Sequence, residues 1–306
     1  MTNNTKNFLS LILLASLWGP SFLFIKVAIT HIPPIALTAF RVGLGSLMLY
    51  ALLQFKNIKL PNLKPIWKHF SIAALLQSAV PFTLFSIGEK TIDSSLAAII
   101  CGSAPLFTLV LAHFTTHDDK FTKTKLIGAS AGFFGLFILI APALFKAEAT
   151  IIGMLEVMIG ALCYAGGFVY VKKFINLSKL EPLTVPTLQL FFSFLFLLPT
   201  SLIFEDLSGI KDASLPAILS AFSLAFFGSA VAFTVYYKIL KATSATYLSM
   251  VNYIVPVFGA VLGVIILGEK LAWNSYVGCA LILVGVMIAN GIIRFPTTRQ
   301  KINLPL

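Results

Sequence analysis

Charge is what this chain lacks. Of its 306 residues only 11% are Asp, Glu, Lys or Arg against 58% hydrophobic, and the mean hydropathy is +0.95. So few charges cannot cover the surface of a soluble fold of this size, which leaves the bilayer as its solvent. Long polar loops are missing too, so there is no room for a soluble domain. No G-x-x-x-x-G-K-[ST] loop occurs, which removes the phosphate cradle an ATP-driven pump needs. The three cysteines, Cys101, Cys163 and Cys279, are odd in number and all lie in apolar runs. They give neither a disulfide framework nor a metal spacing, and no cofactor is implied.

What is present is a series of ten apolar runs: 8–29, 34–54, 70–89, 94–115, 124–144, 150–171, 183–203, 216–239, 245–267 and 274–293. A hydrocarbon core of ~30 Å needs about 20 apolar residues of helix. Barrel strands would alternate apolar and polar residues. These runs do not alternate, so the expected fold is an all-α integral membrane protein with ten transmembrane helices. The net charge of +11 is a topology signal. Lys6, Lys56, Lys59, Lys64, Lys68, Lys120, Lys123, Lys125, Lys172, Lys173, Lys179, Lys238, Lys241, Arg294, Arg299 and Lys301 share one side, and most acids fall on the other. The positive-inside rule then puts both termini in the cytoplasm, which needs an even number of spans. Nucleic acid is not an expected partner; membrane lipids and a small-molecule substrate are, and a monomer is compatible with the sequence. The first run is too long for a secretory h-region and no clear A-x-A site follows it, so it is read as a true span. Between spans two and three, Lys56–His69 interleaves Leu60, Leu63, Ile66 and Trp67 with lysines and two prolines, as expected of a segment along the inner headgroups.

The chain also repeats itself. With Pro105 set beside Pro256, the residues Val80, Phe82, Thr83 and Lys90 fall on Val231, Phe233, Thr234 and Lys241; past the following loop, Lys120, Gly128 and Gly135 fall on Lys270, Gly278 and Gly285. More weakly, Trp18, Phe22, Phe24 and Lys26 match Tyr164, Phe168, Tyr170 and Lys172, and Pro34 and Arg41 match Pro182 and Gln189. The units are residues 8–144 and 150–293, joined by a linker at 146–149. Five spans each is odd, so the second copy enters from the opposite side. The loop charges invert with it. Inverted repeats with a site between them are the pattern of many secondary transporters.

Leu17-Trp18-Gly19-Pro20-Ser21-Phe22, Lys26, Pro33-Pro34 and Arg41, with the closing Gly268-Glu269-Lys270-Leu271, Gly278 and Gly285, resemble an EamA-type repeat of the drug/metabolite transporter superfamily. The resemblance covers about residues 9–293. It implies a ten-helix basket of two inverted halves around a central cavity, lined by spans one, three, four, six, eight and nine and alternating between inward- and outward-facing states. It implies a metabolite as substrate, often exported. In the first copy His117-Asp118-Asp119-Lys120-Phe121 stands where Gly-Glu-Lys-Leu closes the second.

The candidate substrate-binding residues are Trp18, Gly19, Gln77, Ser78, Cys101, Tyr164, Ser229, Asn252 and Tyr253, with Tyr236 and Tyr247 as further aromatic walls. Gly19-Pro20 and Gly166-Gly167 occupy adjoining positions of the two copies, where a helix can break or helices can pack closely. Pro20, Pro105 and Pro256 are candidate hinges; a kink or plain packing is the alternative. Gln77, Ser78 and Ser229 equally suit interhelical hydrogen bonds. Glu156, inside span six, is a candidate proton or cation site, since an acid in the membrane is costly. Arg41 is expected to fix helix packing or a lipid headgroup, and Lys26 to snorkel to water.

These readings lead to a secondary transporter of a small organic metabolite, an amino acid or related amphipathic solute, in the inner (plasma) membrane. Export or exchange by alternating access is the expected mode, and no enzymatic activity is expected. The alternatives are a drug or nucleoside-type transporter, or a membrane enzyme acting on a lipid-linked substrate through Asp118-Asp119 with His113 and His117.

Overall fold

The computed structural model describes residues 3–115, 122–142, 148–175, 180–242, 248, 251–289 and 291–293, without the side chains of 3–5, 148–149 and 252–253. Among the described residues the secondary structure is helical, with no strand. Eight helical segments are long and apolar enough to cross a membrane, and two shorter apolar helices, Ile254–Leu267 and Trp273–Ala289, complete the ten.

The first span is broken: α1 (Asn3–Trp18) ends at Gly19-Pro20 and α2 (Ser21–Ala28) resumes. Proline contributes no N–H and crowds the preceding turn, which accounts for the break. The second span is α3 (Pro34–Phe55). The third runs through α4 (Trp67–Ala74), a wide π-helical turn at Leu75–Ala79 and α5 (Val80–Gly88). Pro81 cannot bond the carbonyl four residues back, and the π turn lies over that gap. The fourth span breaks at Gly102-Ser103 between α6 (Ser94–Cys101) and α7 (Ala104–Thr115), with Pro105 in the first turn of α7 and Ser103 Oγ donating to the Ile100 carbonyl at 2.6 Å. The fifth is α8 (Lys123–Ile140).

In the second half, α9 (Glu148–Phe174) and α10 (Thr184–Phe204) form the sixth and seventh spans. The eighth comprises α11 (Leu215–Ala225), a second π turn at Phe226–Val231 and α12 (Ala232–Ala242). The ninth and tenth are α13 (Val251–Leu267) and α14 (Trp273–Ala289). At two places where a break and close packing were both open, the helix is continuous and packs closely. Helix α9 passes unbroken through Gly166-Gly167, because glycine keeps its N–H, and Gly167 instead lets the helix press against Gln77. Helix α13 continues through Pro256, against which Gly102 packs.

At the periphery α8 and α14 lie backbone to backbone. Gly128 faces Gly285, and Gly135 faces the Gly278 carbonyl, so closely that any Cβ would collide with main chain. The aligned pairs, Gly128 with Gly278 and Gly135 with Gly285, thus meet crosswise, as an antiparallel pseudo-dyad requires. Asn274 Nδ2 donates to the Leu139 carbonyl at 3.1 Å along the same seam. Small residues permit such close packing where lipid supplies no hydrophobic drive.

At the end read as outer from the charge pattern, carboxylates of the second half cap helices of the first. Glu205 accepts from the backbone N–H groups of Ile35 and Ala36 at 2.8 and 2.7 Å, at the start of α3. Glu269 accepts from the Ser94 N–H and hydroxyl at 2.8 Å each and from the Ser95 N–H at 2.9 Å, at the start of α6. A carboxylate at a helix N-terminus satisfies orphan donors and meets the positive end of the dipole. Burial pushes the Glu269 carboxyl up, but the Ser95 and Ser94 donors outweigh it and hold the group below the usual glutamate range. Trp67, at the start of α4 after the Lys56–His69 segment, is exposed, with Lys68 Nζ 5.7 Å from its ring.

Candidate functional site at the crossing of the two halves

The two π turns occupy equivalent places in the repeats, and each receives an arm from the other half. Arg41 on α3 donates through Nε to Ser229 Oγ at 2.9 Å and through Nη2 to the Gly228 carbonyl at 3.2 Å. Its repeat partner Gln189, on α10, donates through Nε2 to Ser78 Oγ at 2.7 Å. Ser78 and Ser229 are themselves repeat partners, so the same bond is made twice, once in each direction across the pseudo-dyad. The arms differ in chemistry: one is a guanidinium and the other an amide. Arg41 is only 4% exposed, and its Cζ lies 4.0 Å from the centroid of the Phe82 ring. The Gln189 amide oxygen accepts from the Tyr237 hydroxyl at 2.7 Å, and that hydroxyl also reaches Gln77 Oε1 at 3.4 Å. Gln77 Nε2 is buried with no hydrogen-bond partner, although the Tyr236 hydroxyl lies beside it.

An aromatic cluster fills the space beside this crossing. Trp18 Nε1 donates to the Gly228 carbonyl at 3.2 Å, the same carbonyl Arg41 uses. The Trp18 ring meets Tyr164 at 6.3 Å, Phe233 at 5.8 Å and Tyr236 at 5.7 Å between centroids. Edge-on and tilted arrangements of this kind are the favourable ones for aromatic pairs. Gly19 abuts Phe258 of α13, leaving no room there for a Cβ.

Of the residues singled out from sequence, Trp18, Gln77, Ser78, Tyr164, Tyr236 and Ser229 therefore come together. Cys101, at the end of α6, is half-buried and within electrostatic reach of Tyr164 and Glu89. Glu156 does not join them: it is partly exposed on α9, and Lys90 is the charge acting on it. The side chains of Asn252 and Tyr253, and all of His117, Asp118, Asp119 and Tyr247, lie outside the described residues.

Of the two roles expected of Arg41, helix packing is the one found: it turns inward to the acceptors of Gly228 and Ser229 rather than to a lipid headgroup. One expectation is corrected. Lys26 does not snorkel: its Nζ donates to the main-chain carbonyls of Glu89 and Ile92, at 2.5 and 2.7 Å. Sequence reasoning missed Gln189, Tyr237 and Glu89. For Gln189 the signal was available, since the repeat alignment pairs it with Arg41. Glu89 precedes the exposed Lys90 in sequence, yet it is fully buried.

A duplicated helical membrane chain whose halves exchange polar arms at interrupted helices has the architecture of a transporter. The comparisons agree: the EamA-like transporter family matches residues 6–141 and again 151–291. The chain belongs to this family. It is 24% identical over 298 residues to the uncharacterized transporter YoaV of Bacillus subtilis, covering 97% of this chain and 99% of that one. It is likewise 24% identical over 285 residues to the uncharacterized inner membrane transporter YedA of Escherichia coli, covering 92% and 89% of the two chains. One solved crystal structure superposes with a TM-score of 0.66 at 17% identity, covering 95% of this chain and 99% of that one, a likeness of fold alone.

Proposed function

We propose that this protein is a secondary transporter of the inner (plasma) membrane, with both termini cytoplasmic, that moves a small organic solute by alternating access. The observation that carries this reading is the doubled bond at the crossing, Arg41 to Ser229 and Gln189 to Ser78, each made to a helix interrupted at an equivalent point. Inverted halves that hold each other through equivalent bonds can exchange roles by rocking, with a site at their shared axis. Trp18, Tyr164 and Tyr236 offer faces to a planar or apolar part of the solute. The buried Gln77 amide, beside the Tyr236 hydroxyl, offers a donor to its polar part. An amphipathic metabolite of the amino-acid or nucleoside kind fits this mixture better than a polyanion does. The hinge reading is kept for Pro20 and Pro105, where the helices are interrupted.

The test is uptake by purified protein in liposomes, using pooled labelled amino acids, nucleosides and polyamines, with and without the same pool inside. Saturable flux stimulated from the opposite face, and lost with Trp18→Ala, is the expected result. Absence of flux from every pool, beside a working control transporter, overturns this substrate range.

A further inference from the structure

Glu89 is unlike every other acid described in the chain. It caps the end of α5, is 0% exposed, and neither carboxylate oxygen has a hydrogen-bond partner. The cations nearby direct their hydrogen bonds to other groups and act on the carboxyl through their charge. Lys26, on α2, donates to the Glu89 and Ile92 main-chain carbonyls, and Arg41, on α3, to Ser229 and to the Gly228 carbonyl. The other titratable groups within electrostatic reach are Cys101, at the end of α6, and Glu269, in the loop after α13. On α9, which packs against α5, Glu156 faces Lys90 and Tyr164 faces Arg41 and Cys101. On its own loop, Lys90 and Asp93 point to the surface. A carboxylate buried without donors is far costlier than a neutral carboxyl, so such a group takes up a proton instead.

The place of Glu89 matters as much as its burial. It sits at the end read as outer, where helices of the two halves pack together. Helix α5 ends against α9 at Gly88 and Gly153, α6 packs on α13, and Glu269 caps α6 just beyond. The inner counterparts of this group are different: Lys172 is exposed, and Leu240 stands where Glu89 stands in the first half. The feature is therefore one-sided.

We propose that Glu89 is a proton-binding site that latches the outer gate. Its carboxylate takes a proton from outer water to become a carboxylic acid, which permits closure, and it returns that proton when the gate reopens. No other reactant is needed. Resting on the transporter reading above, this makes outer closure depend on outer pH, through one proton bound and returned on the same side at Glu89 rather than at Glu156.

The experiment uses protein in liposomes without any solute. Infrared pH-difference spectra of protein carrying carbon-13 glutamate are expected to show a protonated glutamate band at pH values well above the ordinary glutamate range. Glu89→Gln should remove it and Glu156→Gln should not. In parallel, spin labels at Lys90→Cys and Lys270→Cys, with the native cysteines replaced by alanine, report the outer opening. The distance should lengthen as pH rises and should stay short at every pH in Glu89→Gln. A wild-type distance that ignores pH, a Glu89→Gln distance that still follows it, or absence of the band overturns the proposal. If Glu89→Gln fails to fold, Glu89→Asp must shift the pH of the transition, and an unshifted transition overturns the proposal equally. Because no solute is used, failure here is distinct from failure of the flux assay.

Discussion

The frame and the centre of this molecule treat the same symmetry differently. At the frame, α8 and α14 meet through glycines that match crosswise, Gly128 with Gly285 and Gly135 with Gly278. At the centre the bonds also match crosswise, but Arg41 opposes Gln189 and Trp18 opposes Tyr164. Where only close packing is required, the two copies keep the same residue. At the axis the accepting serines, Ser78 and Ser229, are kept, while the arms and rings that meet there diverge. Duplication thus supplied the geometry twice, and the chemistry was then separated between the halves.

The comparison predicts its largest effect at the frame. Gly285→Leu drives a side chain into the Gly128 and Gly132 main chain and should abolish folded protein, read by size-exclusion chromatography in detergent. Gly285→Ala, with one carbon, should cost about 1–3 kcal/mol as overpacking does. A fully stable Gly285→Leu variant would show that this seam is not closed as described.

Next in size comes the centre. Arg41→Ala removes the guanidinium from two buried acceptors and from the Phe82 face, and each acceptor left unsatisfied costs about 1–3 kcal/mol. Arg41→Gln makes the arms alike and should recover part of that stability, since an amide already serves the same bond in the other half. Thermal unfolding of both variants measures the difference. Equal losses would mean that the charge itself, not the bond to Ser229, holds the crossing. Smaller again, Gln189→Leu strands the Ser78 and Tyr237 hydroxyls and should cost about 1–3 kcal/mol.

These predictions also show what could be read without coordinates. The spans were legible because bilayer thickness imposes a length on apolar runs, and the break at Gly19-Pro20 because proline lacks a donor. The second π turn was not legible. Pro81 accounts for the first, but its counterpart is Ala232, and nothing local there demands a wider turn. The role of Arg41 stayed open between helix packing and a lipid headgroup because an arginine two turns into a span can reach the interior or the interface, and only the acceptors on a distant helix decide between them. Glu89 was hidden by its neighbours: Lys90 and Asp93 make the stretch look like a solvated loop, while helix packing at Gly88 buries its first residue. The residues that carry the crossing depend on contacts more than a hundred positions apart, to which hydrophobic periodicity is blind.

The smallest predicted effect tests whether the two ends of the molecule differ in charge as well as in packing. Glu269 belongs to the second half but caps α6 of the first, and its carboxyl is held below the usual glutamate range because the Ser95 and Ser94 donors outweigh burial. A carboxyl lowered on folding contributes stability that is fully present above its unfolded value and is lost as pH falls through its folded one. Glu269→Gln keeps an acceptor but loses the charge, so at neutral pH it should cost about 0.3–1 kcal/mol, the value of a charge at a helix terminus. As the medium is acidified through and below the glutamate range, the wild type should converge on the variant and the gap should close. Thermal unfolding of both proteins across pH measures that gap; titrations that do not sense Glu269 cancel in the difference, and Glu89, which does sense it, is replaced by Gln in both proteins. A gap that stays constant with pH would show that the cap acts through shape alone, and the outer end would then owe its closure to packing, as the frame does.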